Sequence, residues 1–152
     1  MKKHTRRKVY RLVDPVAHAI AGAALTDTAS LDKLRLIELS AIESFRTGCA
    51  TKDDWRAIAD MVNVCETFAN DGVGPEALPS CQAAEEALGD AHRRWQEHGH
   101  LGVTGPQLQA LRDCFEYHDL QRSSVSRSRY ERAIQTTINR IVSAHPSVKV
   151  CV

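Results

Sequence analysis

The sequence predicts an all-α fold, a single antiparallel bundle of about five to six helices. Apolar residues recur at spacings of three and four in successive segments, which is the period of a helix that buries one face. No window shows the sustained alternation of a β-strand. Aromatic residues make up 5% of the chain and hydrophobic residues 43%, a composition that suits helices packed closely through small aliphatic side chains.

The 152 residues have the length of one domain, which can bury a sufficient core without a metal or a disulfide. We divide the chain into a flexible basic arm at residues 1–13, a helical bundle at 14–145 and a short tail at 146–152.

The first two predicted helices follow the arm. An Asp-Pro pair at 14–15 serves as the N-cap and first turn of a short Ala-rich helix. The second helix is predicted to begin with Ser30 as its N-cap and to end at Gly48. Leu36 and Leu39 widen its apolar stripe, so we expect this helix to be central or to be buried in an interface.

The third and fourth helices flank the longest predicted loop. Thr51 and Asp54 resemble a capping box and open a helix that extends to about Asn70. The segment 71–80 is rich in turn-forming residues and is predicted to be the loop. Ser80 is predicted to cap the fourth helix.

The last two helices are predicted on either side of a polar segment. Thr104 and Gln107 form a second capping-box pattern, which opens a fifth helix to about residue 121. The final helix follows the segment 121–128 and reaches about Ala144.

The net charge of +1 conceals basic ends and an acidic middle. The first eleven residues carry six basic side chains and no acid, and residues 123–152 carry five basic residues against one acid. Dense Lys and Arg are typical of chains that follow a phosphate backbone. The candidate nucleic-acid-binding residues are Lys2, Lys3, Arg6, Arg7, Lys8 and Arg11 in the arm, with Arg127, Arg129 and Arg132 at the start of the last helix.

Other interpretations of these basic segments stay open. The arm is also consistent with a solvated tail or with a partner protein that has an acidic groove. The last helix could bind an anion at its backbone N–H groups or could simply expose its arginines to water. A helix-turn-helix fits poorly, because Phe115 stands where a small residue is usual and Asp119 where the turn glycine is expected.

The five cysteines form no CxxC pair and their number is odd, which favours a reduced cytoplasmic setting. We interpret Cys65, Cys81 and Cys114 as small apolar fillers of the core. Cys49 and Cys151 are predicted to be the exposed thiols.

Cys114 and His118 lie one helical turn apart, and histidines also occur at 92, 98 and 100. A zinc site needs at least three converging ligands. Nothing in the sequence directs the loop histidines toward the fifth helix, so we predict no metal site and no cofactor.

No signature of a hydrolase, a phosphate-binding loop or a kinase occurs in the chain. The neighbouring acids at 85–86, and the pair at 60 and 66, are typical of a solvated helix face. We therefore favour a non-enzymatic protein. The apolar run at 12–25 is interrupted by Asp14, Pro15 and His18, so neither a signal peptide nor a membrane partner is predicted.

The stretch from Arg7 to Lys33, RKVYRLVDPVAHAIAGAALTDTASLDK, resembles the start of small uncharacterised proteins carried by bacterial genomes and by their phages or plasmids. The resemblance implies an accessory protein of a mobile element. In that class small helical proteins often bind nucleic acid or block a host machine. The resemblance assigns no residue a role.

Two functions follow as hypotheses. The first is a binding protein that contacts a nucleic-acid backbone or another polyanion through the basic residues named above. The alternative is a protein–protein module, either a homo-oligomer or an adaptor or inhibitor of a host machine, with Leu36 and Leu39 at its interface.

Overall fold

The computed structural model describes residues 15–144, so the predicted arm and tail lie outside the described residues. The described part of the chain contains six α-helices and no strand, which confirms the all-α prediction. The helices are α1 (Pro15–Ala23), α2 (Thr28–Thr47), α3 (Lys52–Asn70), α4 (Leu78–His98), α5 (Gly105–Ser124) and α6 (Arg127–Ala144), and a 3-10 turn (Pro75–Ala77) precedes α4.

Helices α2 to α5 alternate in direction and enclose the main core. α3 is central, since it packs against α2, α4, α5 and α6. α6 runs antiparallel to α3, and the buried hydroxyls of Thr67 and Thr137 are hydrogen-bonded across this contact at 2.7 Å. α1 packs against α6. Alanines and mid-sized aliphatic side chains dominate the core, so the helices approach one another closely.

Both predicted capping boxes are present. The Thr51 hydroxyl accepts from the Asp54 N–H at 3.3 Å, and the Asp54 carboxylate accepts from the Thr51 N–H at 2.8 Å. Thr104 and Gln107 make the equivalent pair of bonds at the start of α5. Each box satisfies two backbone donors that the first turn of a helix leaves free, which is why both starts were predictable.

The predicted N-cap of α2 was wrong. Asp27, not Ser30, caps this helix: its carboxylate accepts the Ser30 N–H at 2.9 Å and the Ser30 hydroxyl at 2.6 Å. A carboxylate at this position also interacts favourably with the positive end of the helix dipole. The predicted end was right, because Gly48 terminates α2 with a left-handed φ of 74°.

The predicted loop at 71–80 was too long. α4 begins at Leu78 and not after Ser80. Pro79 lies in its first turn, where a missing backbone N–H costs nothing. α5 also extends beyond its predicted end to Ser124, because side chains of its last turns have buried partners elsewhere in the bundle. One such bond joins Gln121 Nε2 to the Val73 carbonyl at 2.9 Å.

None of the described helices combines the length and the apolar character needed to cross a membrane.

Candidate functional sites

The three predicted arginines of the last helix are exposed at the start of α6. Arg127 forms an ion pair with Glu131 at 2.8 Å. Arg129 and Arg132 make no ion pair within residues 15–144. Both line a surface cleft of about 510 Å³ that also includes Asp71. Two uncompensated cations against one carboxylate make this cleft suited to a negatively charged ligand.

The end of α1 packs against the start of α6, the same end that carries the three arginines. The Arg127 N–H donates to the Ala24 carbonyl at 2.8 Å, and Leu25 pairs with Ser126 in an isolated antiparallel bridge. Gly22 packs so closely that a Cβ there would lie 3.1 Å from an α6 side chain. The helix that follows the predicted basic arm therefore lies against the helix that carries Arg129 and Arg132.

The backbone at the start of α6 is less open to anions than the sequence suggested. The Arg127 N–H is bonded to Ala24, and the Arg129 N–H donates to the Ser126 hydroxyl at 3.3 Å. An anion at this helix would therefore contact the arginine side chains and not a set of free backbone N–H groups.

Leu36 and Leu39 are 68% and 47% exposed, and Leu120 on α5 is 70% exposed. A groove of about 380 Å³ runs between α2 and α5, with Leu39 and Phe115 in its lining. The part of the α2 apolar stripe that Leu36 and Leu39 contribute is therefore exposed to solvent and not buried in the core. The protein–protein hypothesis requires such an exposed apolar surface.

A buried ionic network, which sequence reasoning missed, joins α5 to α2. Arg122 is 0% exposed, and its guanidinium donates to Glu38 Oε1 at 2.8 Å and to Asp119 Oδ1 at 2.9 Å. Its second terminal nitrogen lies 2.7 Å from Glu38 Oε2 as an ion pair. Asp119 also accepts from Arg35 at 2.8 Å. The signal that could have revealed it is Glu38, an acid within the apolar stripe of α2.

His118 lies one turn before Arg122 and is also fully buried. Burial, and then the positive charge of Arg122, lower the pKa of His118 to about 3. Its Nδ1 has no hydrogen-bond partner among residues 15–144. Burial raises the pKa of Glu38 against the opposing effect of Arg122. His118 is consequently neutral in the fold.

Three cysteines meet in the core. Cys65 on α3, Cys81 on α4 and Cys114 on α5 are at most 1% exposed, and their Sγ atoms all lie within 4.8 Å of one another. All three are free thiols. The prediction that they are buried is confirmed, but their convergence was not foreseen. His118, considered with Cys114 at the sequence level, does not belong to this group.

The cluster forms because each cysteine lies on the core-facing side of its helix, and the three cysteines lie at the same height along the bundle axis. Contacts with the Cys114 and Cys65 thiols lower the pKa of Cys81. Contacts with Cys65 and Cys81, together with burial, raise the pKa of Cys114. The three thiols titrate as one coupled group, in which ionisation of Cys81 is favoured and ionisation of Cys65 and Cys114 is disfavoured.

The other residues considered in the sequence analysis lie outside the cysteine cluster and the buried ionic network. Cys49 is exposed as predicted, and Cys151 lies outside the described residues. Glu66, one of the acids that the sequence assigned to a solvated helix face, forms an ion pair with Arg140 at 2.6 Å.

No family model, no curated protein and no solved structure matches this chain.

Proposed function

We propose that this protein is a non-enzymatic binding protein that contacts a nucleic-acid backbone or another polyanion. The observation that supports the proposal most is the docking of α1 on α6, through the Ala24–Arg127 bond and the Leu25–Ser126 bridge. α1, which follows the arm in the sequence, is thereby held against the helix that carries Arg129 and Arg132. On this basis we propose that the two basic segments act on one ligand.

The charge pattern on the described surface is consistent with this function. Exposed arginines elsewhere are neutralised by local acids, as in the pairs Arg56–Asp53 and Arg93–Asp90. Arg129 and Arg132 have no such partner within residues 15–144. Phosphate contacts of this kind bring affinity with little sequence preference, and we expect weak discrimination between base sequences.

The test is binding of labelled random-sequence duplex DNA across a series of salt concentrations. If the six basic residues of the arm and both arginines engage phosphates, log affinity should fall against log salt with a slope of about −7. Deleting residues 1–11 should leave a slope of about −2. Single-stranded DNA and RNA in parallel show which polyanion binds best.

Two double variants distinguish an effect of the α6 arginines on binding from an effect of the protein's net charge. Arg129→Gln with Arg132→Gln should flatten the slope by about 2. Arg56→Gln with Arg93→Gln removes the same formal charge from arginines that already have partners, and should change the slope by less. Equal effects of the two pairs would show that net charge, and not the α6 surface, governs binding. An absence of binding at low salt would overturn the proposal.

A second candidate function, a protein–protein module, is favoured by the exposure of Leu36 and Leu39 beside the α2–α5 groove. Analytical ultracentrifugation across concentrations measures self-association. Leu36→Gln with Leu39→Gln should dissociate an oligomer, whereas Val142→Gln, at a partly exposed apolar position of α6, should not. A monomer at all concentrations would remove the homo-oligomer and leave only a different partner protein. Either function suits a cytoplasmic accessory protein of a bacterial mobile element, the origin that the resemblance implies.

A further inference from the structure

We infer that Cys65, Cys81 and Cys114 form a binding site for a trivalent thiophilic metalloid, of the class of arsenite or antimonite. The inference concerns the centre of the bundle and is independent of polyanion binding at α6. The sulfur atoms come from three different helices and lie within 4.8 Å of one another. Apolar packing alone does not require three thiols at one point, since alanine, another small side chain, fills six other positions of this core.

The distances suit three sulfur ligands around one centre. Bonds of about 2.3 Å, the length of a metal–thiolate bond, place three sulfurs roughly 3.5–4 Å apart. Sulfurs within 4.8 Å of one another reach that spacing with small side-chain rotations. Because each cysteine is on a separate helix, the bound atom would join α3, α4 and α5.

The number of ligands argues against zinc. A structural zinc ion takes four protein ligands, and no His, Asp or Glu atom within residues 15–144 joins the three sulfurs. The cysteines are at most 1% exposed, which leaves no solvent side from which water could complete the coordination. A ligand that is satisfied by three sulfurs fits this site better.

The charge balance selects a trivalent centre. Three thiolates around a monovalent or divalent ion leave a net negative charge in the core, and an uncompensated buried charge is costly. Three thiolates around As(III) or Sb(III) form a neutral complex. Arg122, the one fully buried Lys or Arg among the described residues, is already paired with Glu38 and Asp119.

The binding step is a neutral exchange. One As(OH)₃ reacts with three thiols; three As–S bonds form, and three As–O and three S–H bonds break. Three water molecules leave, with no change in oxidation state and no net charge. The entering species is itself small and uncharged, so it can reach the core during local opening of the helices.

The experiment adds arsenite to the reduced full-length chain and follows native mass spectra. We expect one adduct per chain whose mass gain is one arsenic atom less three hydrogens. X-ray absorption of the adduct should show three sulfur ligands and no oxygen or nitrogen. Refolding from denaturant with arsenite present repeats the test for the case in which the folded chain opens too slowly.

The controls use the other cysteines. Cys65→Ala, Cys81→Ala and Cys114→Ala should each reduce affinity at least tenfold, with folding checked by circular dichroism, whereas Cys49→Ala should not. If an alanine variant fails to fold, the absorption spectrum of the unaltered chain still decides the coordination. No adduct under either protocol, an adduct with fewer than three sulfurs, or binding of Cd(II) in preference to arsenite would overturn the inference.

Discussion

Arg122 and the pair Arg129 and Arg132 lie within eleven residues of each other, yet the fold treats them in opposite ways. Arg122 is 0% exposed and is bonded to Glu38 and Asp119. Arg129 and Arg132 are exposed and have no ion pair within residues 15–144. The difference teaches that an Arg-rich stretch is not one functional unit. The end of α5 contributes a cation to the core, and the start of α6 contributes cations to the surface.

The largest expected effect on stability comes from replacing the buried arginine, Arg122. Arg122→Met leaves the Glu38 carboxylate buried without its partner and should lower the free energy of unfolding by about 3–5 kcal/mol. Arg129→Met should change it by less than about 0.5 kcal/mol. Urea denaturation followed by circular dichroism measures both.

A double variant tests the cause of that loss. Arg122→Met with Glu38→Met replaces the buried ion pair by apolar side chains and should recover most of the stability. If the double variant is no more stable than Arg122→Met, the loss comes from packing and not from the unpaired carboxylate.

The next effect is a pH dependence that originates beside Arg122. The pKa of His118 is lowered from 6.5 to about 3 in the fold, so the unfolded chain binds more protons between these values. The stabilising contribution of neutral His118 is therefore complete above about pH 6.5 and declines as the pH falls. The expected decline is about 1.4 kcal/mol per pH unit below that point.

Unfolding free energies at pH 7 and pH 5 measure this effect. Comparison with His118→Leu isolates the histidine, because the opposing titration of Glu38 is common to both proteins. Equal pH dependence in the two proteins would contradict a buried neutral His118.

The smallest effect concerns the exposed side, where α1 docks on α6. A leucine at Gly22 would meet α6 at a position where even a Cβ comes within 3.1 Å of Ser128. Gly22→Leu should weaken the docking by about 1 kcal/mol and speed hydrogen exchange of the Arg127 N–H, which is bonded to Ala24. Gly89→Leu is the matched control, because no atom of the described residues outside its own helix backbone lies within 4 Å of a Cβ at that helical glycine. If both variants leave the Arg127 exchange rate unchanged, α1 does not depend on that close contact.

Local sequence signals predicted most of the fold but only part of each site. The capping boxes at Thr51 and Thr104 were correct because each depends on residues three positions apart. The start of α2 was missed because Asp27 and Ser30 are both good capping residues, and only the geometry of the turn decides between them. The cysteines were correctly predicted to be buried, since helical spacing identifies the core face of each helix separately.

The sequence by itself determined that this chain is an all-α bundle, where most helices begin and end, and which faces are apolar. These properties depend on contacts within one or two helical turns. The tertiary structure alone decided that Cys65, Cys81 and Cys114 share one point, that Arg122 lies between Glu38 and Asp119, and that α1 rests on α6. Such contacts depend on how the helices align and at what level they meet. The packing of the whole bundle sets that alignment, and no periodicity within a single helix records it.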